Sequence, residues 1–389
     1  MQAAIDQVKV LAATVSHGAR RQLIASLRNI ASSLEDPEDT LDRCSRLHLE
    51  AAIITVGLEM GIFKQLASST APMTVAELSR QADAEPQLLT RIMRYLAAIG
   101  SVDEVSQGRF GANSVTNNLS TAVVVAGMFH SFHTIGPQYQ ALPSFLKRTG
   151  YKEPQDDLHT AFQDGWNTSL DAFTWFADNP DHLAYFNDFM ALRRKPALSW
   201  LSVYPVREVA GSCSPDQAVY VNIGGGIGHQ CVEFKQKFPD VSGRVILQDL
   251  PHTIANALAC QGVEHMAYDF YEPQPIKGAK LYFMRGVLHD HPARLVEKIL
   301  YNTRIAMSED SVLLVDEMIL PEMGTEPPVA AIDLTMLTSR GGMERTEAQW
   351  QHTFEVAGLE LHRTYVYNPA NHESVMEVRL PRLPTLPTP

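Results

Sequence analysis

The apolar positions of this chain change period along its length, and the changes divide it. Up to about Ala67 they recur at helical spacing: Ile24, Leu27 and Leu34 share a face, and LHLEAAIITVGLEMGIFKQLA is apolar almost all round, as in a helix buried on several sides. In MTVAELSRQADAEPQLLTRIMRYLAAIG, Thr74 and Glu77 make a capping box. Pro86 opens a second helix there, with Leu88, Ile92, Leu96 and Ile99 recurring before Gly100 stops it. VDEV and RFGAN then flank Gln107-Gly108 as a hairpin. Two short helices followed by a β-wing predict a winged helix.

From about Asn118 to Trp200 the pattern stays helical and gains aromatics. Phe162, Trp166, Phe173 and Phe176, at spacings of four, seven and three, fall on one helix face. That stripe is either core or the wall of a hydrophobic ligand pocket. After Tyr204, AVYVNI, RVILQD, LYFMR and SVLLVDE are short β-rich apolar runs, separated by helical stretches such as HQCVEFKQKF and PARLVEKILYNTRIAM. The alternation predicts an α/β domain, a doubly wound parallel sheet with helices on both faces. LHRTYVYN and SVMEVRL complete the sheet, and the Pro-rich tail LPRLPTLPTP is expected to be disordered. The division is therefore residues 1–117, helical and winged; 118–204, a helical connector; 205–380, the Rossmann-like domain; and 381–389, the tail.

Charge alters the reading of the first domain. The 389 residues carry a formal net charge of −12, no basic block offsets it, and the second winged-helix segment exposes only Arg91 and Arg94 as cations. Nucleic acid is thus excluded as the expected partner, and the winged domain is assigned a structural or dimer-forming role. A winged-helix regulator that senses a small molecule is disfavoured by the same balance. No apolar run approaches the roughly 20 residues of a membrane span, and the first residues resemble neither a secretory signal nor a transit peptide, so a cytoplasmic protein without membrane partners is expected. Cys44, Cys213, Cys231 and Cys260 are widely spaced and read as buried thiols rather than disulfides or zinc ligands.

VNIGGGIGHQ places Gly224, Gly225, Gly226 and Gly228 at the end of the first strand, where a doubly wound sheet binds its ligand. A dinucleotide fingerprint would have a third glycine at position 229, beside a pyrophosphate, and His229 stands there instead. Asp249, ending RVILQD, is placed to accept from ribose hydroxyls. Asp269 in MAYDFYEP is either a solvated loop acid or a neighbour of an adenine ring, with Phe270 available to stack. These features suit a nucleoside cofactor without phosphates, and S-adenosylmethionine fits best.

LYFMRGVLHDHP puts His289 and Asp290 beyond a strand end, VLLVDEMILP puts Glu317 at the next, and GGMERT adds Glu344 after a double glycine. A histidine between carboxylates can be held in one tautomer and poised to take a proton. Transfer from a phenol, pKa near 10, to an ordinary histidine, near 6.5, is uphill by about 3.5 units or roughly 5 kcal/mol; the barrier falls if deprotonation accompanies attack, or if neighbouring carboxylates raise the imidazole's basicity.

From about Leu47 to Leu380 the order VNIGGGIGHQ, LQDLPH, YDFYEP, MRGVLHDHP, DEMILP and IDLTMLTSRGGMERT resembles the S-adenosylmethionine-dependent O-methyltransferases of the caffeic-acid type, especially fungal members acting on polyketides and other aromatic metabolites. The resemblance implies a class I methyltransferase fold with an N-terminal dimerisation domain, hence a homodimer, and a small aromatic or polyketide-like substrate. It implies cofactor contacts from Gly224, Gly226, Asp249, Leu250, Asp269, Phe270 and Arg285, with His289 as catalytic base supported by Glu317 and Glu344. Substrate-lining positions fall on Phe186, Met190, Asp333 and Met336; Trp166 and Phe176 of the aromatic stripe and His133 of MFHSFHTIG join them as candidates. No metal is expected. Asn222 stands where an aspartate is usual in this family, and His291 where tryptophan is common. The alternative activity is that of relatives that bind the cofactor and catalyse a pericyclic rearrangement without moving the methyl group.

Overall fold

The computed structural model describes residues 2–193, 199–211 and 213–382; the tail expected from 381 lies, beyond Arg382, outside the described residues. The chain forms two compact units, one of the residues up to Thr134 with Ala184–Arg193, the other of Ile135–Leu183 with the remainder.

In the first unit, helices Gln2–Thr14 and His17–Ser33 precede Pro37–Glu59, which starts on an Asp36 capping box. The apolar segment expected as one helix breaks at Gly61 (φ +67°), and Ile62–Ser68 leaves at 62° to its predecessor. Of Pro37–Glu59 only Thr55 and Gly57 are buried, while Leu41, Leu47 and Leu49 face outward, so burial on several sides does not occur within the chain itself. No single described helix is long and apolar enough to cross a membrane. The Thr74 capping box starts Val75–Ala82, Glu85 caps Pro86–Ala98, and Arg91 and Arg94 are exposed. The inward face of Pro86–Ala98 is Leu89, Ile92, Met93 and Leu96; Leu88, expected inside, is 49% exposed, one position out of phase. The wing consists of β1 (Met73–Thr74), β2 (Asp103–Ser106) and β3 (Arg109–Gly111) in the order β1-β3-β2, turning at Gly108 (φ +65°). Phe110 and Met73 pair across it and pack with Phe63, Leu66, Leu96 and Leu119.

The second unit is built on β4 (Ala218–Ile223), β5 (Arg244–Asp249), β6 (Val263–Ala267), β7 (Leu281–Arg285), β8 (Val312–Leu320), β9 (Arg345–Thr346), β10 (Glu360–Asn368) and β11 (Glu373–Arg379). The order is β10-β11-β8-β7-β4-β5-β6, with β9 on the end of β8; β8-β7-β4-β5-β6 are parallel, and β11 and β10 close the edge antiparallel. The chain leaves β4 toward β5 and β6, then returns to β7 on β4's other side, which puts the switch point between β4 and β7. Strand residues alternate between two cores: Ile246, Tyr282, Met284, Leu313 and Val315 pack with Trp350 and Phe354, and Val245, Leu247, Phe283 and Leu314 pack with Trp200 and Phe234. Burial on both faces explains the unbroken apolar runs. β6 is mostly exposed at the edge and mixes polar with apolar residues, so it lacks the signal that marks its neighbours.

Two expectations are corrected. The aromatic stripe is not one helix face: Ala161–Trp166 ends at Asn167 (φ +48°), and Ala172–Asp178 starts anew on an Asp171 cap. The left-handed residue resets the phase, and Trp175, outside the expected stripe, becomes the hub, its ring centroid 4.5 Å from Trp166 and 5.5 Å from Phe162. Of the four cysteines, all free thiols, Cys213 and Cys231 are buried, but Cys44 is exposed and Cys260 half-buried.

Candidate active site

Beyond β4 the chain turns through Gly224 (φ +64°) and Gly226 (φ +59°), and Gly228 (φ +96°) leads into the helix His229–Lys237. A side chain at Gly225 would collide with Asn222 and Leu247, so the turn rests on the sheet, whereas a Cβ at Gly226 would meet nothing within 4 Å. The Gly226 N–H donates to Asp249 Oδ2 at 2.8 Å, and Leu250 N–H donates to Asp249 Oδ1 at 2.8 Å. In a phosphate cradle such turn amides bind the anion. Here a carboxylate already occupies one and repels phosphate, while keeping lone pairs for ribose hydroxyls.

Asn222 is buried between Leu247 and Phe283 of the flanking strands. A carboxylate would lose its hydration among those side chains, and the amide avoids that cost. Its Nδ2 lies beneath Gly225, and its side chain hydrogen-bonds the buried Cys231 thiol. The open face at Gly226 is what a ligand approaching the switch point requires.

Asp269 follows β6 and accepts the Tyr271 N–H at 2.9 Å. Phe270 leans on the glycine turn and is met edge-on by Tyr271 (5.0 Å, 80°) and by His291 (5.4 Å, 70°). His291 Nδ1 and the Tyr271 hydroxyl share a 2.9 Å hydrogen bond. Burial, helped by the Arg340 charge, pushes His291 down to about 4, so it serves as a neutral aromatic beside Phe270. Beneath this loop, Gln248 and Gln274, both fully buried, exchange hydrogen bonds of 2.9 and 2.8 Å, and the Gln248 carbonyl accepts the Gly225 N–H. Leu250 is exposed at the end of β5. Arg285, ending β7, lies opposite Asp316, its Nε 3.3 Å from Asp316 Oδ2. Burial pushes that carboxyl up to about 7 despite Arg285 and the Tyr367 hydrogen bond. The cofactor-binding candidates thus stand at the carboxyl ends of four neighbouring parallel strands, β7, β4, β5 and β6.

The second cluster stands at the end of β7. Glu317 Oε1 accepts the main-chain N–H groups of Val287, Leu288 and His289 at 3.1, 2.9 and 3.4 Å, fixing the 3₁₀ turn Leu288–Asp290. Its other oxygen is 4.0 Å from His289 Nδ1. Glu344 Oε1 is 2.7 Å from that nitrogen, and Asp290 Oδ1 is 3.6 Å from Nε2. The two glutamates divide the task assigned to both: Glu344 orients the ring, and Glu317 orients the main chain that carries it.

Glu344 reaches His289 because of the double glycine. The helix Pro327–Arg340 stops at Gly341 (φ +67°), and Gly342 passes so close to the His289 carbonyl that no side chain fits. Met343 N–H donates to that carbonyl at 3.0 Å, and Glu344 N–H donates to Asp333 Oδ1 at 2.8 Å. Arg340 braces the same region, 3.4 Å from Asp157, 3.5 Å from Asp171, and 4.5 Å above the Phe173 ring. Neither Arg340 nor Arg345 stood out in the sequence; the only signal was their place around Gly-Gly.

Burial alone would depress His289, but the charges of Glu317 and Asp290 and the hydrogen bond and charge of Glu344 outweigh it and push the imidazole up to about 10. Burial pushes Glu317 up to about 7 against the pull of His289, and burial also raises Asp333. The cluster can accept a proton at His289 and spread the resulting charge over carboxylates. His289, Glu317 and Glu344 bring their ligand atoms within 4.8 Å of one another, close enough to hold a metal ion, and the contact of Nδ1 with Glu344 leaves Nε2 as the ring nitrogen open to a substrate proton.

The substrate-lining candidates separate. In the second unit, Asp333 ties down Glu344, and Met336 sits half-buried on the same helix. Trp166 and Phe176 belong to the cluster around Trp175, with His182 4.7 Å from Trp166. In the first unit, His133 lies in the π-helical turn His130–Ile135, stacks on Tyr185 at 5.4 Å, and has Nε2 3.2 Å from Glu59. Phe186 meets His130 edge-on at 5.5 Å, and Met190 is half-buried one turn further along the helix Pro180–Arg193.

Residues 215–360 match the O-methyltransferase domain family, and residues 45–122 match the O-methyltransferase dimerisation domain. The chain is 38% identical to O-methyltransferase ucdC of Aspergillus ustus over 93% of its length and 94% of the relative's. It is 36% identical to demethylsterigmatocystin 6-O-methyltransferase of Aspergillus parasiticus, with 93% of each covered. Among solved structures, the complex of LepI with SAM superposes with a TM-score of 0.84 at 33% identity, covering 98% of both chains. A protein described as a pericyclic reaction enzyme gives the same score and identity, over 98% of this chain and 99% of its own.

Proposed function

This chain belongs to the O-methyltransferase family, and from that premise we propose that it moves a methyl group from S-adenosylmethionine to a phenolic or enolic hydroxyl of a small, polyketide-like metabolite, with His289 as general base. The observation that carries the reading is the 2.7 Å contact of Glu344 with His289 Nδ1, at the strand end beside the nucleoside crevice.

S-adenosylmethionine, when bound, supplies an electrophilic methyl group on a sulfonium that is already a good leaving group. Asp249 would accept from the ribose hydroxyls; Leu250, Asp269 and Phe270 would hold the adenine; the bare turn at Gly224 and Gly226 would give the amino-acid end room, and Arg285 would join them from the end of β7. At Nε2, His289 takes the proton of the substrate hydroxyl. Glu344 keeps Nδ1 as the donor and balances the imidazolium, while Glu317 keeps the turn in place. With the imidazole at about 10, transfer from a phenol of pKa near 10 to the neutral ring is level instead of roughly 5 kcal/mol uphill, and the neutral ring is the minor form below pH 10. Met336, Asp333, Trp166, Phe176, His133, Phe186 and Met190 are the residues proposed to select the substrate. The dimerisation domain supports a homodimer, and a cytoplasmic setting is part of the proposal.

The test is incubation of the purified protein with methyl-labelled S-adenosylmethionine and a panel of phenolic and enolic polyketides. Label appearing in product, one equivalent per S-adenosylhomocysteine formed, supports the reading. A changed substrate skeleton with the cofactor unconsumed sinks it and favours the pericyclic alternative, to which the second structural relative points.

A further inference from the structure

Arg345 is 2% exposed, yet among the described residues no carboxylate lies within 4.0 Å of its guanidinium. Its Nη1 donates to the Met343 carbonyl at 3.2 Å, its carbon lies 4.9 Å above the Trp350 ring, and its Nη2 is buried with no hydrogen-bond partner among those residues. One neutral hydrogen bond and a ring face do not offset the desolvation of a cation. The compensating charges must be those further off: Glu317, Glu344 and Asp333, all of which act on it. β9 fixes this placement, since Arg345 pairs with Ile319, two residues beyond Glu317, and directly follows Glu344.

We propose that Arg345 is an electrostatic positioning residue, a buried counter-ion that limits how strongly the surrounding carboxylates hold a proton on His289. This rests on the general-base reading of His289. The groups around that imidazole are Asp290 and neutral His291 on its own turn, Glu317 on β8, Asp333 and Arg340 on the helix Pro327–Arg340, and Glu344 with Arg345 on the segment after it. Without Arg345 the balance is three carboxylates and Asp290 against Arg340 alone, and the proton on His289 would be held still more tightly. With Arg345, part of that field is cancelled and the neutral base is populated at higher concentration. The residue touches neither substrate nor cofactor; it acts through His289.

The test is a histidine-selective ¹⁵N NMR titration of the full-length protein, with the His289 signals identified by their loss in His289→Gln. Arg345→Gln keeps a donor for the Met343 carbonyl and removes the charge; Arg345→Lys keeps the charge and removes the planar fork. The Gln variant is expected to raise the His289 midpoint by about one pH unit, the size of a single charge acting over several ångström at protein-like screening. The Lys variant is expected to stay at the wild-type midpoint. An unchanged midpoint in a folded Gln variant overturns the proposal, as does a Lys variant that shifts as far as Gln. If Gln does not fold, Arg345→Met, which retains contact with Trp350, is read against the same criterion. A merely structural role would lower the melting temperature and leave the midpoint alone. Because the titration needs no turnover, its failure leaves methyl transfer standing, and a failure of methyl transfer leaves the titration readable.

Discussion

Gly342 lies against the carbonyl of His289 so closely that a single added carbon has nowhere to go, although 53 residues separate the two in the chain. That approach, with the Met343 N–H bonded to the same carbonyl, delivers the Glu344 carboxylate to the imidazole. Gly342→Ala is expected to leave a folded protein with near wild-type affinity for S-adenosylmethionine, measured calorimetrically, and methyl transfer lowered at least 100-fold. Activity within a few-fold of wild type would show that the segment can shift without disturbing the pair.

His289→Gln removes the proposed base while keeping polar atoms in the ring's place. Proton transfer by a positioned side chain contributes about 10²–10⁴-fold, and a loss in that range in kcat is expected, with the cofactor Kd unchanged. A loss of cofactor binding of the same size would reassign His289 to the crevice.

The two glutamates should separate by experiment. Glu317 accepts three main-chain N–H groups, so Glu317→Leu strands buried donors and is expected to lower stability by about 1–3 kcal/mol or more in denaturant unfolding. Glu344→Gln keeps a hydrogen-bonding partner at Nδ1 and removes charge. It is expected to lower the His289 midpoint and, with it, the acid limb of the pH–rate profile, with a smaller change in stability. Equal effects on stability would mean that both serve the turn.

Protonation linkage predicts the pH dependence of stability. His289 is raised from its ordinary 6.5 to about 10 in the folded protein, so its contribution is complete below about 6.5 and is lost as pH rises through about 10. Glu317, also raised, contributes below its ordinary 4.5 and loses that contribution as pH rises through about 7. Both slopes run the same way, so stability in urea should fall from pH 6 to pH 9.5. The fall should be shallower in His289→Gln; a variant with an identical slope would locate the linked proton elsewhere.

The strands that carry the site were legible because each is buried on both faces and reads as an unbroken apolar run; β6, at the exposed edge, had no such mark. The glycine turn and Asp249 were legible as a turn and an acid at neighbouring strand ends, but the hydrogen bond from Gly226 to Asp249 that joins them is a matter of three-dimensional closure. His289, Glu317 and Glu344 were found by position at strand ends and by resemblance. The different grips of the two glutamates, one on a ring and one on main-chain amides, depend on where each carboxylate lands after 28 and 55 residues of intervening fold. Periodicity failed at Asn167 because a single left-handed residue resets helix phase, and a polar asparagine between aromatics gave little warning of it.

The double glycine also bears on how such an enzyme can change its substrate. The proposed proton-handling pair is fastened by main-chain contacts at His289, Gly342 and Met343, whereas most candidates for recognising the acceptor would act through side chains alone. Replacing the side chain of Met336, Trp166 or Phe186 is therefore expected to change selectivity while the main-chain fasteners, the Met336 carbonyl under Gly342 among them, stay in place, so that new acceptor specificities could be explored with the proposed proton acceptor kept throughout.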